Sequence, residues 1–254
     1  MPFRRLFSLL LLLGFAQTSG LAETAPAVDH PHSVYDALLR EHVREGLVDY
    51  AALKTDSRLA AYIATLEAID PAPLPQAERL AYWINAYNAA TLRLMADAWP
   101  VESILKLNGG KPWDVPVLQP CGVAQKLTLN QIEHDIIRKE FREPRIHFAL
   151  VCAAVSCPPL RSEAFAAARL STQLDEQTRA FVRDPARNRY DASAHTLRLS
   201  PIFQWYAADF GDAEGMLGFV VKYLAPADRE ALARSGLAPE LVFENYDWAP
   251  NAWK

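Results

Sequence analysis

Between Glu133 and Cys157 the chain gathers the residue types of nucleophilic chemistry: Glu133 beside His134, His147 within an apolar run, and the thiols of Cys152 and Cys157. A cysteine nucleophile needs a base to take its proton and a third group to orient that base, and Cys, His and Glu fill those roles. The pattern points to a thiol-dependent hydrolase or acyl transferase, with Cys152 or Cys157 as nucleophile, His147 as base, Glu133 as its orienter and His134 as an alternative base. The same residues have an inert reading: a hydrogen-bonded core histidine at His147, a packed thiol at Cys152, or a local disulfide between Cys152 and Cys157. A metal site using His134 or His147 with a thiolate is a weaker rival, because neither C-x-x-C nor H-E-x-x-H spacing is present.

A second function class is a non-catalytic ligand-binding or scaffold module. SPIFQWYAADF, Ser200 to Phe210, brings Phe203, Trp205, Tyr206 and Phe210 together with Asp209, and such a cluster can line a groove. Core packing, with Asp209 capping the next helix, is the commoner outcome. Asn85 and Asn88 lie three apart in a helical pattern, so they sit side by side on one face. They are read either as ligand contacts or as amides that satisfy the backbone of a packed loop. The NYDWAPN stretch, Asn245 to Asn251, is equally open.

These side chains depend on the elements beneath them. Ile146 to Val151 reads as a buried strand, and along a strand side chains alternate faces. His147 and Cys152 then point to opposite sides unless the chain bends near Val151. Cys157 precedes two prolines and suits the start of a helix, where the backbone dipole lowers a thiol pKa. Ser162 is an equally good start and would leave Cys157 in a loop. Thr128 and Gln131 form a capping box opening LNQIEHDIIRKEF, with Leu129, Ile132 and Ile136 facing inward.

Further helices are predicted at Val34–Val43, Ser57–Ala68, Gln76–Ala98, Ser162–Leu170, Gln173–Arg183, Asp212–Leu224 and after Pro226. Extended pieces are predicted at Leu47–Tyr50, Trp113–Leu118, Thr196–Ser200 and Leu241–Tyr246. Many helices with a few scattered strands predict an α+β fold, a predominantly helical single domain with a small mixed or antiparallel sheet.

Five stretches carry a resemblance. They are AYWINAYNA at Ala81–Ala89, L-x-x-IEHDIIR at Leu129–Arg138, IHFALVCAAVSCPPLR at Ile146–Arg161, SPIFQWYAADF, and NYDW near the C-terminus. In this order they resemble the family catalogued as domain of unknown function 547. The resemblance implies that H-F-A-L-x-C, intact at His147–Cys152, is the signature. It favours Cys152 as nucleophile, because some relatives carry serine where Cys157 stands, and it implies no cofactor.

The opening of the chain predicts export. Arg4 and Arg5 precede an apolar run from Leu6 to Ala16, broken only by Ser8 and Gly14, and Gly20-Leu21-Ala22 supplies a small-x-small cleavage site. Residues 1–22 then form a signal peptide, 23–33 a flexible lead-in holding His30 and His32, and 34–254 a single globular domain. The expectation is a periplasmic or secreted protein with no stable membrane span after cleavage. With 26 basic and 30 acidic residues interspersed, the net charge of −4 argues against nucleic acid as partner, and no other partner is named by the sequence. Export exposes Cys121, Cys152 and Cys157 to oxidation, and their odd number leaves at least one unpaired.

Overall fold

The computed structural model describes residues 32–211 and 213–253. The signal segment read at Met1–Ala22, and His30, lie outside the described residues. His32 and Ser33 are not a loose lead-in: His32 is buried with Nδ1 2.7 Å from the Tyr62 hydroxyl, and Ser33 begins the first helix.

α1 (Ser33–His42) buries Tyr35, Leu38, Leu39 and His42, and a hairpin of β1 (Val43–Arg44) and β2 (Leu47–Val48) follows. Gly46 turns it at φ +81°, and a Cβ there would lie 2.4 Å from the Pro159 Cβ, so only glycine fits. The extended piece read to Tyr50 ends earlier, because Asp49 caps an additional helix, α2 (Tyr50–Thr55), by accepting the Ala52 N–H. Asp56 caps α3 (Ser57–Glu67) in the same manner. α4 (Gln76–Ala98) has the bounds read from sequence, starting after Pro75 and stopping before Pro100. From Leu80 to Leu92 it is buried on every face, which makes it the central helix.

β3 (Pro116–Leu118) pairs antiparallel with β4 (Leu127–Thr128), while Trp113 lies in a 3₁₀ turn, Pro112–Asp114, rather than in the strand. The capping box forms reciprocally: Gln131 N–H donates to Thr128 Oγ1 at 3.1 Å and Thr128 N–H to Gln131 Oε1 at 2.9 Å. The turn it opens is π-helical, Gln131–Ile137, before α5 (Arg138–Phe141). A π turn repeats near five residues instead of four. Ile132 and Ile137 are therefore fully buried and Ile136 is only half-buried, a correction to the α-helical spacing assumed from sequence.

Two other expectations give way to tertiary contacts. The strand expected at Ile146–Val151 is a 3₁₀ turn, Pro144–Phe148, running into irregular chain. Glu143 caps Arg145 N–H there, and a short run buried on all sides has no period that separates strand from helix. The helix expected at Ser162–Leu170 is replaced by a segment whose backbone groups are held by distant side chains. Asp36 accepts Ala164 N–H at 2.5 Å, Asn85 brackets Phe165 through both N–H and C=O, and Gln173 accepts Ala166 N–H. α6 (Leu170–Val182) thus starts earlier than predicted, after a single 3₁₀ turn.

β5 (Arg189–Asp191) and β6 (Thr196–Leu199) are antiparallel, and β7 (Glu240–Phe243) lies parallel to β6, with Leu197 opposite Leu241. Between β6 and β7 come α7 (Ile202–Trp205), α8 (Ala207–Phe210), α9 (Ala213–Tyr223) and α10 (Pro226–Ser235). The fold is α+β, predominantly helical with small sheets, one of them mixed. Among the described residues no helix is long and apolar enough to cross a membrane.

Two apolar clusters meet at the segment of interest. Ile146, Leu150 and Val151 pack with α1 to α4, whereas Phe148 packs with Phe181, Phe203 and Val220 around the mixed sheet. The C-terminal chain pins the turn from Ala153 to Ser156: Asn251 N–H donates to Ala153 C=O, Val155 N–H to Ala249 C=O and Ser156 N–H to Asp247 C=O. Asn251 itself is anchored by the Tyr50 hydroxyl and by Gly46 C=O.

Asn88 clamps this region, donating to Ala149 C=O at 2.9 Å and accepting Val151 N–H at 3.0 Å while buried. Asn88→Ala leaves two buried backbone groups without partners. The expected cost is about 2–4 kcal/mol, read as a lower urea midpoint with an unchanged m-value.

Candidate active site

A cavity of about 240 Å³ opens where the two clusters meet, and Glu133, His134, His147, Cys152, Cys157 and Trp205 all line it. Asn85 and Asn88, also read as ligand contacts, do not. Their amides are spent on Phe165 and on Ala149 and Val151. Of the four aromatics expected to line a groove, Trp205 and Tyr206 line the cavity, while Phe203 and Phe210 are buried in the core and the amide pair serves the backbone.

His147 is held by a carboxylate, although not by Glu133. Its Nε2 lies 2.7 Å from Asp209 Oδ2, and its ring stacks on Tyr206 with centroids 3.9 Å apart. Asp209 was expected to cap the following helix. It sits instead near the end of α8, gripped by Arg138 through Nε at 2.6 Å and Nη2 at 2.9 Å. The remaining Arg138 nitrogen, Nη1, lies 2.9 Å from His134 Nδ1. A guanidinium only donates, so His134 accepts at Nδ1 and carries its proton on Nε2.

The electrostatics give each partner a defined state. Burial lowers the His147 pKa from 6.5 and outweighs the upward pull of Asp209, so the imidazole is neutral at pH 7. Burial pulls the Asp209 carboxyl up, but the hydrogen bonds from His147 and Arg138 outweigh it and hold the group well below the usual carboxylate range. An ionised Asp209 therefore accepts the Nε2 proton. Nδ1 keeps its lone pair, and among the described residues no hydrogen bond engages it. That is the state of a general base.

The two thiols form a second unit. All three cysteines are free, and the Cys152 N–H donates to Cys157 Sγ at 2.8 Å. Cys152 Sγ is 3.0 Å from the Tyr246 hydroxyl. Burial pushes the Cys157 thiol up, yet the Cys152 side chain and backbone N–H outweigh it and bring the group below its ordinary value of 9.0. Cys152 moves the opposite way, first through its bond to Cys157 and then through burial. Of the two thiols, Cys157 is therefore the one whose ionisation the fold favours, with Cys152 as the donor beside it.

The backbone that permits this is strained at one residue. Ala153 has φ +60°, which costs about 1–2 kcal/mol for a residue with a Cβ, and the Asn251 bond to its carbonyl keeps it there. No helix starts at Cys157, so the dipole argument from sequence fails, and the Cys152 side chain and N–H act in its place. Neither sulfur is hydrogen-bonded to an imidazole among the described residues.

Glu133, on the π turn, is 5% exposed and faces the same space. It stands against Tyr87 and Tyr206, whose hydroxyls are pushed far up first by burial and then by its charge. The mouth is aromatic: Trp205 and Trp248 stack at 5.9 Å, Tyr246 is 4.5 Å from Trp248, and Trp113 packs edge-on to Trp248 at 5.9 Å. Among the described residues no group of three or more His, Cys, Asp and Glu side chains is placed to hold a metal ion.

Sequence reasoning missed Asp209, Arg138 and Tyr246 as site residues. The signal for two of them lay in the aromatic clusters SPIFQWYAADF and NYDW, which contain Asp209 and Tyr246. Arg138, the last residue of IEHDIIR, gave no such sign, because i to i+4 from His134 is also the spacing of an ordinary surface pair.

No curated protein and no solved structure matches this chain. Residues 71–182, which carry α4, the π turn, His147 and both cavity thiols, match the model of the family described as Protein of unknown function, DUF547, the family that the motifs of this sequence resemble.

Proposed function

We propose that this is an exported protein of the cell envelope that performs thiol-dependent acyl transfer, to water or to another acceptor. The observation that carries the reading is a thiol with a lowered pKa, Cys157, in one cavity with a neutral imidazole whose far nitrogen is held by an ionised carboxylate. Cys157 Sγ attacks the acyl carbonyl carbon and forms a thioester, and the thiol proton goes to His147 Nδ1. His147 returns that proton to the leaving group as its bond to the acyl carbon breaks. Attack by the acceptor on the thioester then releases the acyl group and restores the thiol. Asp209 keeps the Nε2 proton in place and stabilises the imidazolium formed midway. Cys152 supports the departing thiolate, and Tyr246 holds Cys152.

Alkylation of the folded protein with iodoacetamide, followed by peptide mass mapping, tests this. Cys157 is expected to react with a midpoint below pH 9.0, since the thiolate is the reactive form and its formation is favoured in the fold. Cys121, which is exposed, serves as the internal reference. Modification confined to Cys121 across the pH range would overturn the reading.

A further inference from the structure

We infer that the substrate seated in this cavity carries a protonated alkyl amine, which Glu133 and the tryptophan mouth recognise; this rests on the acyl-transfer reading and names its substrate class. The inference comes from an imbalance of charge. The ionisable groups facing the cavity are Glu133, His134, His147, Cys152, Cys157 and the hydroxyls of Tyr87, Tyr206 and Tyr246, and no lysine or arginine lines it among the described residues. Arg138, the nearest cation, has two nitrogens committed to Asp209 and the third to His134. His134 accepts from that arginine and His147 is neutral, so neither supplies a positive charge.

Glu133 is thus a side chain 5% exposed that hydrogen-bonds to the Tyr87 and Tyr206 hydroxyls but has no ion-pair partner among the described residues. A buried charge left uncompensated is costly, and a cationic ligand relieves that cost. The walls fit the same ligand. Trp205, Trp248 and Trp113 present π faces and edges around the mouth, and a cation is attracted to the face of an aromatic ring within about 6 Å. An anionic or simply apolar substrate would leave Glu133 without a counter-charge. The volume, about 240 Å³, suits one short alkylammonium group rather than a large ring system.

Calorimetric titration of the whole protein with n-butylammonium, butyltrimethylammonium, 1-butanol and butyrate tests the inference without depending on turnover. Both ammonium ions are expected to bind at least tenfold more tightly than 1-butanol, and butyrate more weakly still. Glu133→Gln is expected to remove most of that preference. Equal binding of n-butylammonium and 1-butanol by the unaltered protein would overturn the inference, as would failure of either ammonium ion to bind. The unaltered protein decides the question even where the variant fails to fold. Ammonium binding with an inert Cys157 would sink the acyl-transfer reading and keep the cation site, whereas a reactive Cys157 with no ammonium preference would do the reverse.

Discussion

Cys157→Ser is expected to lower acyl transfer by about 10³-fold or more, read as loss of the burst and turnover with p-nitrophenyl acetate. A serine hydroxyl at that position still accepts the Cys152 N–H, so the loop keeps its geometry and the loss reports on chemistry. What disappears is the thiol whose ionisation the fold favours, in the same cavity as a neutral imidazole. Cys152→Ser is the matching control, since a hydroxyl there still donates towards Cys157 and still meets Tyr246. Its loss is expected to be about tenfold, the order of one weakened hydrogen bond. The reverse ranking would move the nucleophile to Cys152, the residue that the family resemblance favours.

Asp209→Asn is expected to reduce turnover by about 10²–10⁴-fold at pH 7 with little change in substrate affinity. The amide can turn its NH₂ towards His147 and force Nε2 to accept. The imidazole proton then moves to Nδ1, the nitrogen that has to act as base. The wild-type pH profile has a defined sign. Asp209 stays ionised down through the mildly acidic range, because its partners hold it well below the usual carboxylate value. Loss of activity between pH 7 and 4 therefore belongs to His147, and its midpoint falls below 6.5 because burial depresses that pKa. Both groups have depressed folded pKa values, so the stability they contribute is present above their unfolded values and is lost as pH falls through the folded ones. An acid limb with a midpoint above 6.5 would contradict this assignment.

Much of the helical framework was legible in the sequence. α4 was readable to its end residues because a helical apolar period runs from Leu80 and stops before Pro100, and the Thr128–Gln131 box identified the next helix start through two side chains that satisfy each other's backbone. The failures share one cause. Ile146–Val151 and Ser162–Leu170 have their backbone groups satisfied by Asn88, Asn85, Asp36 and Gln173, side chains far away in the chain, and local propensity carries no information about such partners. The Asn85 and Asn88 pair was visible as a buried polar contact, and only the contacts themselves assign it to the backbone.

By itself, the sequence determined the inventory: Cys152, Cys157, His147, Glu133 and His134 in one region, carried on a helical framework, with aromatic residues clustered downstream. Residue type and local spacing suffice for that, since ionisation chemistry and helix period are local properties. The tertiary structure decided which of them are partners. It placed Asp209, from α8, on His147 and released Glu133 to the cavity wall. It favoured ionisation of Cys157 over Cys152 by bringing the Cys152 side chain and backbone N–H onto the Cys157 sulfur, beside a left-handed turn at Ala153. Those outcomes depend on distances of about 3 Å between segments tens of residues apart, and pKa values and tautomers are set by such distances.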